Sequence, residues 1–119
     1  LKEKYGWKDG DEIIVPAVTW ITNISPVIQC NLKPIFVDIN LSDLSFDYDK
    51  LKDKITEKTR AIFITHLIGI PADVNKIKEI IGSRDILIME DCCESHGALI
   101  DNVKVGNFGI AGTFSFYWG

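Results

Sequence analysis

Five short apolar runs punctuate the chain: Glu12 to Val15, Pro34 to Val37, Ala61 to Thr65, Ile86 to Met89 and Gly112 to Phe116. Each is rich in β-branched or aromatic residues, the pattern of a strand. In Ile35-Phe36-Val37, Ala61-Ile62-Phe63-Ile64 and Ile86-Leu87-Ile88-Met89 the apolar residues are continuous and do not alternate, which predicts strands covered on both faces. Between the runs, Val74, Ile77, Ile80 and Ile81 fall at helical spacing with charged residues on the other face, and Gly82 follows as a stop, so residues 72–81 read as a helix. Leu51 and Ile55, set among charged residues from Asp47 to Lys58, predict a shorter amphipathic helix. The stretch from Trp20 to Leu32 reads as helical despite Pro26, which removes a donor and crowds the preceding turn. Strands and helices in alternation imply an α/β architecture, with right-handed crossovers and a parallel or mixed sheet between helices.

Composition narrows the function class. Of 119 residues 46% are hydrophobic and 25% charged, which excludes a disordered or low-complexity chain. Thirteen Lys plus Arg against 17 Asp plus Glu leave a formal charge of −4, which argues against an electrostatic nucleic-acid binder. No apolar run approaches bilayer length, so no membrane span is expected. Three cysteines, two of them adjacent at Cys92 and Cys93, fit neither a disulfide framework nor a CxxC pair, and a reducing cytoplasm is the expected location. The chain opens on Leu1, carries its single Met at position 89 and stops after an aromatic run, and it reads as part of a longer protein.

Polar residues collect immediately after the apolar runs. Val37 leads into Asp38, Thr65 into His66, and Met89 into Glu90-Asp91-Cys92-Cys93-Glu94-Ser95-His96. In open α/β sheets ligands sit beyond the carboxyl ends of strands, so this convergence predicts a polar pocket. A carboxylate at Asp91 behind four aliphatics is poorly hydrated; it requires a cationic partner, or else it caps the following turn through backbone N–H groups. Cys92, Cys93, Glu94 and His96 carry zinc-compatible atoms, but adjacent cysteines seldom converge on one ion and no second ligand pair exists, so no metal site is expected. A Cys93 nucleophile served by His96 lacks an orienting third group, and small buried thiols are the simpler reading. Trp20, in the loop after the first run, is either core or a platform for a planar ligand. Ser115 is either a strand hydroxyl or a polar contact at the sheet edge. Gly106, Gly109 and Gly112 match no phosphate-loop or dinucleotide pattern and read as turn residues.

Several ordered blocks together resemble the DegT/DnrJ/StrS family: Gly10 to Ala17, Lys33 to Ile39, His66-Leu67-Ile68-Gly69-Ile70-Pro71-Ala72-Asp73, Glu90-Asp91 with His96-Gly97-Ala98, and Gly112 to Tyr117. These are pyridoxal-phosphate (PLP) enzymes of nucleotide-sugar metabolism with the aspartate-aminotransferase fold, fold type I. The resemblance implies that residues 1–119 form the central part of the PLP-binding large domain, on a mostly parallel mixed sheet, without the upstream phosphate-binding segment and the carboxyl-terminal small domain. It also implies a cytoplasmic homodimer that builds its site at the subunit interface and takes a nucleotide-linked keto-sugar, with no nucleic-acid or membrane partner. A buried carboxylate beside the cofactor's pyridine nitrogen keeps that ring protonated and electron-withdrawing. By resemblance Asp91 is that carboxylate, Trp20 stacks on the ring, Glu94 approaches the phenolic oxygen and Ser115 holds the phosphate.

The family's catalytic residue falls five places after the motif serine, at the position following Gly119, so the chain itself contains none. Lysine there marks sugar aminotransferases, which move an amino group from an amino acid such as glutamate. Histidine marks a smaller branch that works with PLP and pyridoxamine phosphate (PMP) and removes the C3 hydroxyl of a 4-keto-6-deoxy sugar. Cys92-Cys93-Glu94-Ser95 and Trp118-Gly119 depart from the aminotransferase pattern and look more like the dehydratase branch, which makes 3-dehydration the expected reaction. Transamination is the alternative, and a non-catalytic family member the second alternative.

Overall fold

The computed structural model describes residues 1–117. After a single turn of helix α1 (Lys2–Tyr5), the chain runs β1 (Glu12–Pro16), α2 (Ser25–Gln29), β2 (Lys33–Val37), α3 (Tyr48–Lys54), β3 (Thr59–Thr65), α4 (Val74–Ile81) and β4 (Leu87–Asp91). A small hairpin follows, β5 (Leu99–Ile100) with β6 (Val103–Lys104), and then β7 (Ala111–Thr113). Five strands form one sheet in the order β2-β1-β3-β4-β7, every pair parallel.

The order places a switch point between β1 and β3. The chain steps from β1 outward to β2, then crosses back to β3 on the other side of β1 and continues through β4 to β7. With right-handed crossovers, that reversal moves the covering helices from one face of the sheet to the other. Packing follows suit. Ile14, Ile62, Ile64 and Ile88 pack with Leu51 of α3 and Val74, Ile77 and Ile81 of α4. Their strand neighbours Ile13, Val15 and Ala61 point the opposite way and pack with Val27 of α2. Continuous apolar strands are therefore read correctly as two-faced for β3 and β4. The edge strand β2 differs, since Phe36 is 48% exposed and only its neighbours reach the core.

Side-chain caps fix the helix starts. Asp47 accepts a hydrogen bond from Lys50 N, and Asp73 from Lys76 N, so α3 and α4 each begin one residue after an aspartate. Ile55 is already extended, which ends α3 short of the charged run that suggested a longer helix. The stretch from Trp20 to Leu32 is not one helix. A 3₁₀ turn spans Ile21–Asn23 and α2 begins at Ser25, placing Pro26 in a first turn, where its missing N–H has no partner to lose. The last predicted strand stops at Thr113, three residues short of Phe116, because its partner β4 ends at Asp91, opposite Thr113. The β5–β6 hairpin turns on Asp101 and Asn102, both at positive φ, a two-residue hairpin signal that the apolar pattern hides. Among the described residues no helix is long and apolar enough to cross a membrane.

Leu51 is fully buried between α3 and the sheet. Leu51→Ala is expected to cost about 2–5 kcal/mol, read as a lowered urea midpoint.

Candidate active site

The carboxyl ends of β1, β3, β4 and β7 open into one cleft of about 630 Å³, and all four residues singled out by resemblance, Trp20, Asp91, Glu94 and Ser115, line it. Each arrives from a different local feature. Trp20 leads into the 3₁₀ turn and is 62% exposed, so its indole is cleft wall and not core. Asp91 is the last residue of β4 and nearly buried. Glu94 lies in the loop after β4, and Ser115 two residues past β7.

Asp91 is held by two neutral donors on different oxygens. Asn23 Nδ2 donates to Oδ2 at 2.6 Å, and Cys93 N donates to Oδ1 at 3.0 Å. Asn23, itself buried, also reaches Thr19 Oγ1 at 2.8 Å, and the Thr19 and Thr65 hydroxyls meet at 2.7 Å. Among the described residues no lysine, arginine or histidine pairs with Asp91, and none of the cleft-lining residues is a lysine or arginine. A nearly buried carboxylate facing a cleft without a counter-charge suits a ligand that brings a cation. The capping role also exists, through Cys93 N, and occupies one oxygen only.

Two loops are stitched together beside it. Glu94 Oε2 accepts from Ile68 N at 2.8 Å; Ser95 Oγ donates to His66 O at 2.7 Å and accepts from Gly69 N at 3.1 Å. Ile68 and Gly69 both take positive φ in the tight turn that this ties down. Ser115 Oγ accepts from Tyr117 N at 3.1 Å, its one hydrogen bond among the described residues, and lines the cleft.

His66, left without a role by the sequence, faces away from Asp91. It is fully buried, its Nδ1 accepts from Ala72 N, and its Nε2 therefore carries the proton directed at Glu90 Oε2, 3.1 Å away. Glu90 collects three further donors, Gly106 N on Oε2 and Phe108 N and Gly109 N on Oε1, at 2.7–2.8 Å. Burial works to raise its pKa, but His66 and these amides outweigh it and hold the carboxyl below its ordinary value. The loop this anchors is tight: a Cβ on Gly109 would sit 2.3 Å from Ile88 O, so the glycine is required by close approach. His66, Glu90 and Cys92 bring possible ligand atoms within 4.8 Å of one another, yet His66 and Glu90 spend theirs on protein donors. Burial, then the Glu90 and Asp91 charges, push the Cys92 thiol up to about 12. Burial and Asp91 push Cys93 up to about 11, so neither sulfur is a ready ligand or nucleophile. His96 packs edge-on against Phe114 and Phe116 and does not serve Cys93.

A parallel α/β sheet with its cleft at the switch point, floored by an acidic side chain, defines a ligand-binding class of fold, and sequence comparison refines it. The DegT/DnrJ/EryC1/StrS aminotransferase family profile matches residues 1–119, and the chain belongs to that family. It is 47% identical over 111 residues to GDP-4-keto-6-deoxy-D-mannose 3-dehydratase of Escherichia coli O55:H7, covering 93% of this chain and 29% of that protein. It is 42% identical over 113 residues to L-glutamine:2-deoxy-scyllo-inosose aminotransferase of Streptomyces kanamyceticus, covering 95% and 26%. A solved E. coli GDP-4-keto-6-deoxy-D-mannose-3-dehydratase with hydrated PLP bound superposes with a TM-score of 0.86 at 48% identity, covering 90% of this chain and 28% of that one. The chain thus spans under a third of the length of the relatives it matches.

Glu90→Gln puts an amide among amides. It is expected to lower stability at neutral pH by about 2–4 kcal/mol. Because the folded-state pKa of Glu90 lies below its ordinary value of 4.5, the carboxylate's contribution is complete above that value and fades as pH falls through the lower folded value. The gap between wild type and variant in urea unfolding should therefore shrink below about pH 4.5.

Proposed function

We propose that this chain is the central part of the cofactor-binding large domain of a PLP- or PMP-dependent enzyme acting on a nucleotide-linked 4-keto-6-deoxy sugar, with 3-dehydration as its reaction. The observation that carries the reading is Asp91: nearly buried, supported by neutral donors alone, and facing a cleft large enough for a substituted pyridine. Bound there, the cofactor would supply an electron sink for breaking bonds next to the carbon that carries nitrogen. Asp91 would keep the proton on the ring nitrogen, because a carboxylate beside that nitrogen favours its charged form.

The remaining residues would position and exclude. Trp20 offers an exposed indole as a flat wall against the ring, which also keeps water from one face. Glu94, its carboxylate steadied by Ile68 N, would lie toward the phenolic oxygen. The cleft lining gives a phosphate hydroxyls, from Ser115 and Thr22, and no cation, so Ser115 would orient that group without neutralising it. A homodimer in the cytoplasm is part of this reading, with the partner subunit and other parts of the protein completing the cleft.

Two features favour dehydration. The 3-dehydratase relative is more similar than the aminotransferase, and Cys92-Cys93-Glu94-Ser95 replaces the small residues and Gln of the aminotransferase pattern. The related signal at Trp118-Gly119 lies outside the described residues. Transamination is the second reading, supported by the 42% identity to an aminotransferase. The residue following Gly119 decides: histidine supports dehydration, since imidazole can move protons without tethering the cofactor, and lysine overturns it. A full-length protein that takes up no PLP or PMP on reconstitution would point to a non-catalytic member.

In the full-length protein Asp91→Asn is expected to leave the fold intact and lower turnover by at least about 100-fold. Trp20→Ala should weaken PLP binding by up to about tenfold, measured by absorbance titration of the apoprotein, with a smaller effect on turnover.

A further inference from the structure

Resting on the reading of Asp91 as the carboxylate beside the ring nitrogen, we propose that Asn23 is a positioning residue for that carboxylate. A carboxylate at the end of a strand is free to rotate about its last torsion, and one donor does not fix its plane. Here two do. Cys93 N belongs to the backbone and takes Oδ1; Asn23 Nδ2, 2.6 Å from Oδ2, brings a side-chain amide to the group. Between them they leave each oxygen a lone pair for the cleft.

The amide is itself located by three constraints. Asn23 N donates to Trp20 O, closing the 3₁₀ turn, so the turn that presents the indole also presents the amide. Thr19 Oγ1 accepts from Nδ2 at 2.8 Å, and Thr65 Oγ1, on the strand beside Asp91, lies 3.3 Å away. Asn23 is 3% exposed, so water does not substitute for it. Asn23 thereby links the wall of the cleft to its floor: ring stacking at Trp20 and charge pairing at Asp91 are set by one turn.

Three variants of the full-length protein test this, each read by the affinity of the apoprotein for PLP and by the nitrogen-15 NMR signal of PLP labelled at the ring nitrogen. Asn23→Leu keeps the branched shape and removes the donor; it is expected to weaken PLP binding about tenfold or more and to shift the ring-nitrogen signal away from the fully protonated form. Asn23→Asp faces Asp91 with a second acid. It should bind PLP nearly as wild type near pH 5.5, where one proton is shared as a donor, and lose affinity about tenfold more than wild type by pH 8.5, where the two charges repel. His66, Cys93, Glu94 and Tyr117 are the other titratable groups lining the cleft and are common to both proteins, so the wild-type profile subtracts their contribution. A purely structural asparagine would not produce that pH-dependent difference. Parallel pH profiles for Asn23→Asp and wild type, or a folded Asn23→Leu with unchanged affinity and unchanged nitrogen signal, overturn the proposal. Asp91→Asn separates the two layers: if it lowers affinity and shifts the signal while both Asn23 variants behave as wild type, the positioning role alone falls. If Asp91→Asn changes neither readout, the reading of Asp91 falls and takes the proposal with it.

Discussion

Burying a carboxylate demands donors or a cation, and β4 ends in two carboxylates side by side. Strand alternation sends them to opposite faces of the sheet. Glu90 shares the face of Ile62, Ile64 and Ile88 and turns into a ring of three backbone amides and a histidine. Asp91 shares the face of Ala61, Thr65 and Met89 and meets one side-chain amide and one backbone N–H. The first is fully compensated and so serves the fold; the second is compensated in part and so is available to a ligand. A one-residue slip in the register of β4 would exchange them and leave both wrong.

The same constraint organises the loops. Glu90 holds the segment Gly106–Gly109, which leads into β7 and so to Ser115, while His66 is fixed between Glu90 and Ala72 N and thereby sets the start of the loop after β3. Ser95 and Glu94 then tie that loop to the one after β4. The cleft wall is thus made of three loops cross-braced by polar side chains, with His66, Glu90 and Ser95 buried, on a sheet whose apolar residues are packed independently on each face. Rigidity at the cleft follows from hydrogen bonds, and stability of the layer beneath follows from Ile, Leu and Val packing.

The layer was legible in the residues and the braces were not. Short β-branched and aromatic runs located all five strands of the sheet, and the positions of polar residues after them pointed to the edge where the cleft lies, because both signals are local in the chain. Boundaries moved where a partner or a cap decided them: Asp73 starts α4 two residues later than periodicity alone suggests, and β7 ends where β4 stops. Trp20, Asp91, Glu94 and Ser115 were found through resemblance and converge on one cleft, whereas Asn23 passed unnoticed. Two of its partners, Thr65 and Asp91, are 42 and 68 residues away, and a single asparagine in a stretch that reads as helical carries no local signal of those bonds. His66 was noticed and left without a role, since only its two hydrogen bonds reveal that its ring is committed to Glu90 and the Ala72 amide.

That commitment of His66 bears on where proton transfer resides. A base in the cleft needs a free lone pair near neutral pH. His66 has none, with Nδ1 accepting from Ala72 and Nε2 protonated toward Glu90. Cys93 is held protonated by burial and by Asp91, and Asp91 itself is the group assigned to the ring nitrogen. Glu94 is anchored at Ile68. On the proposed reading, the described residues would act as a holder that seats a planar cofactor and pairs with its ring nitrogen, and the bases considered above would not shuttle the proton. On that reading, seating the ring and moving the proton would be carried by different segments of the chain, so the choice between dehydration and transamination would not have to alter the cleft described here.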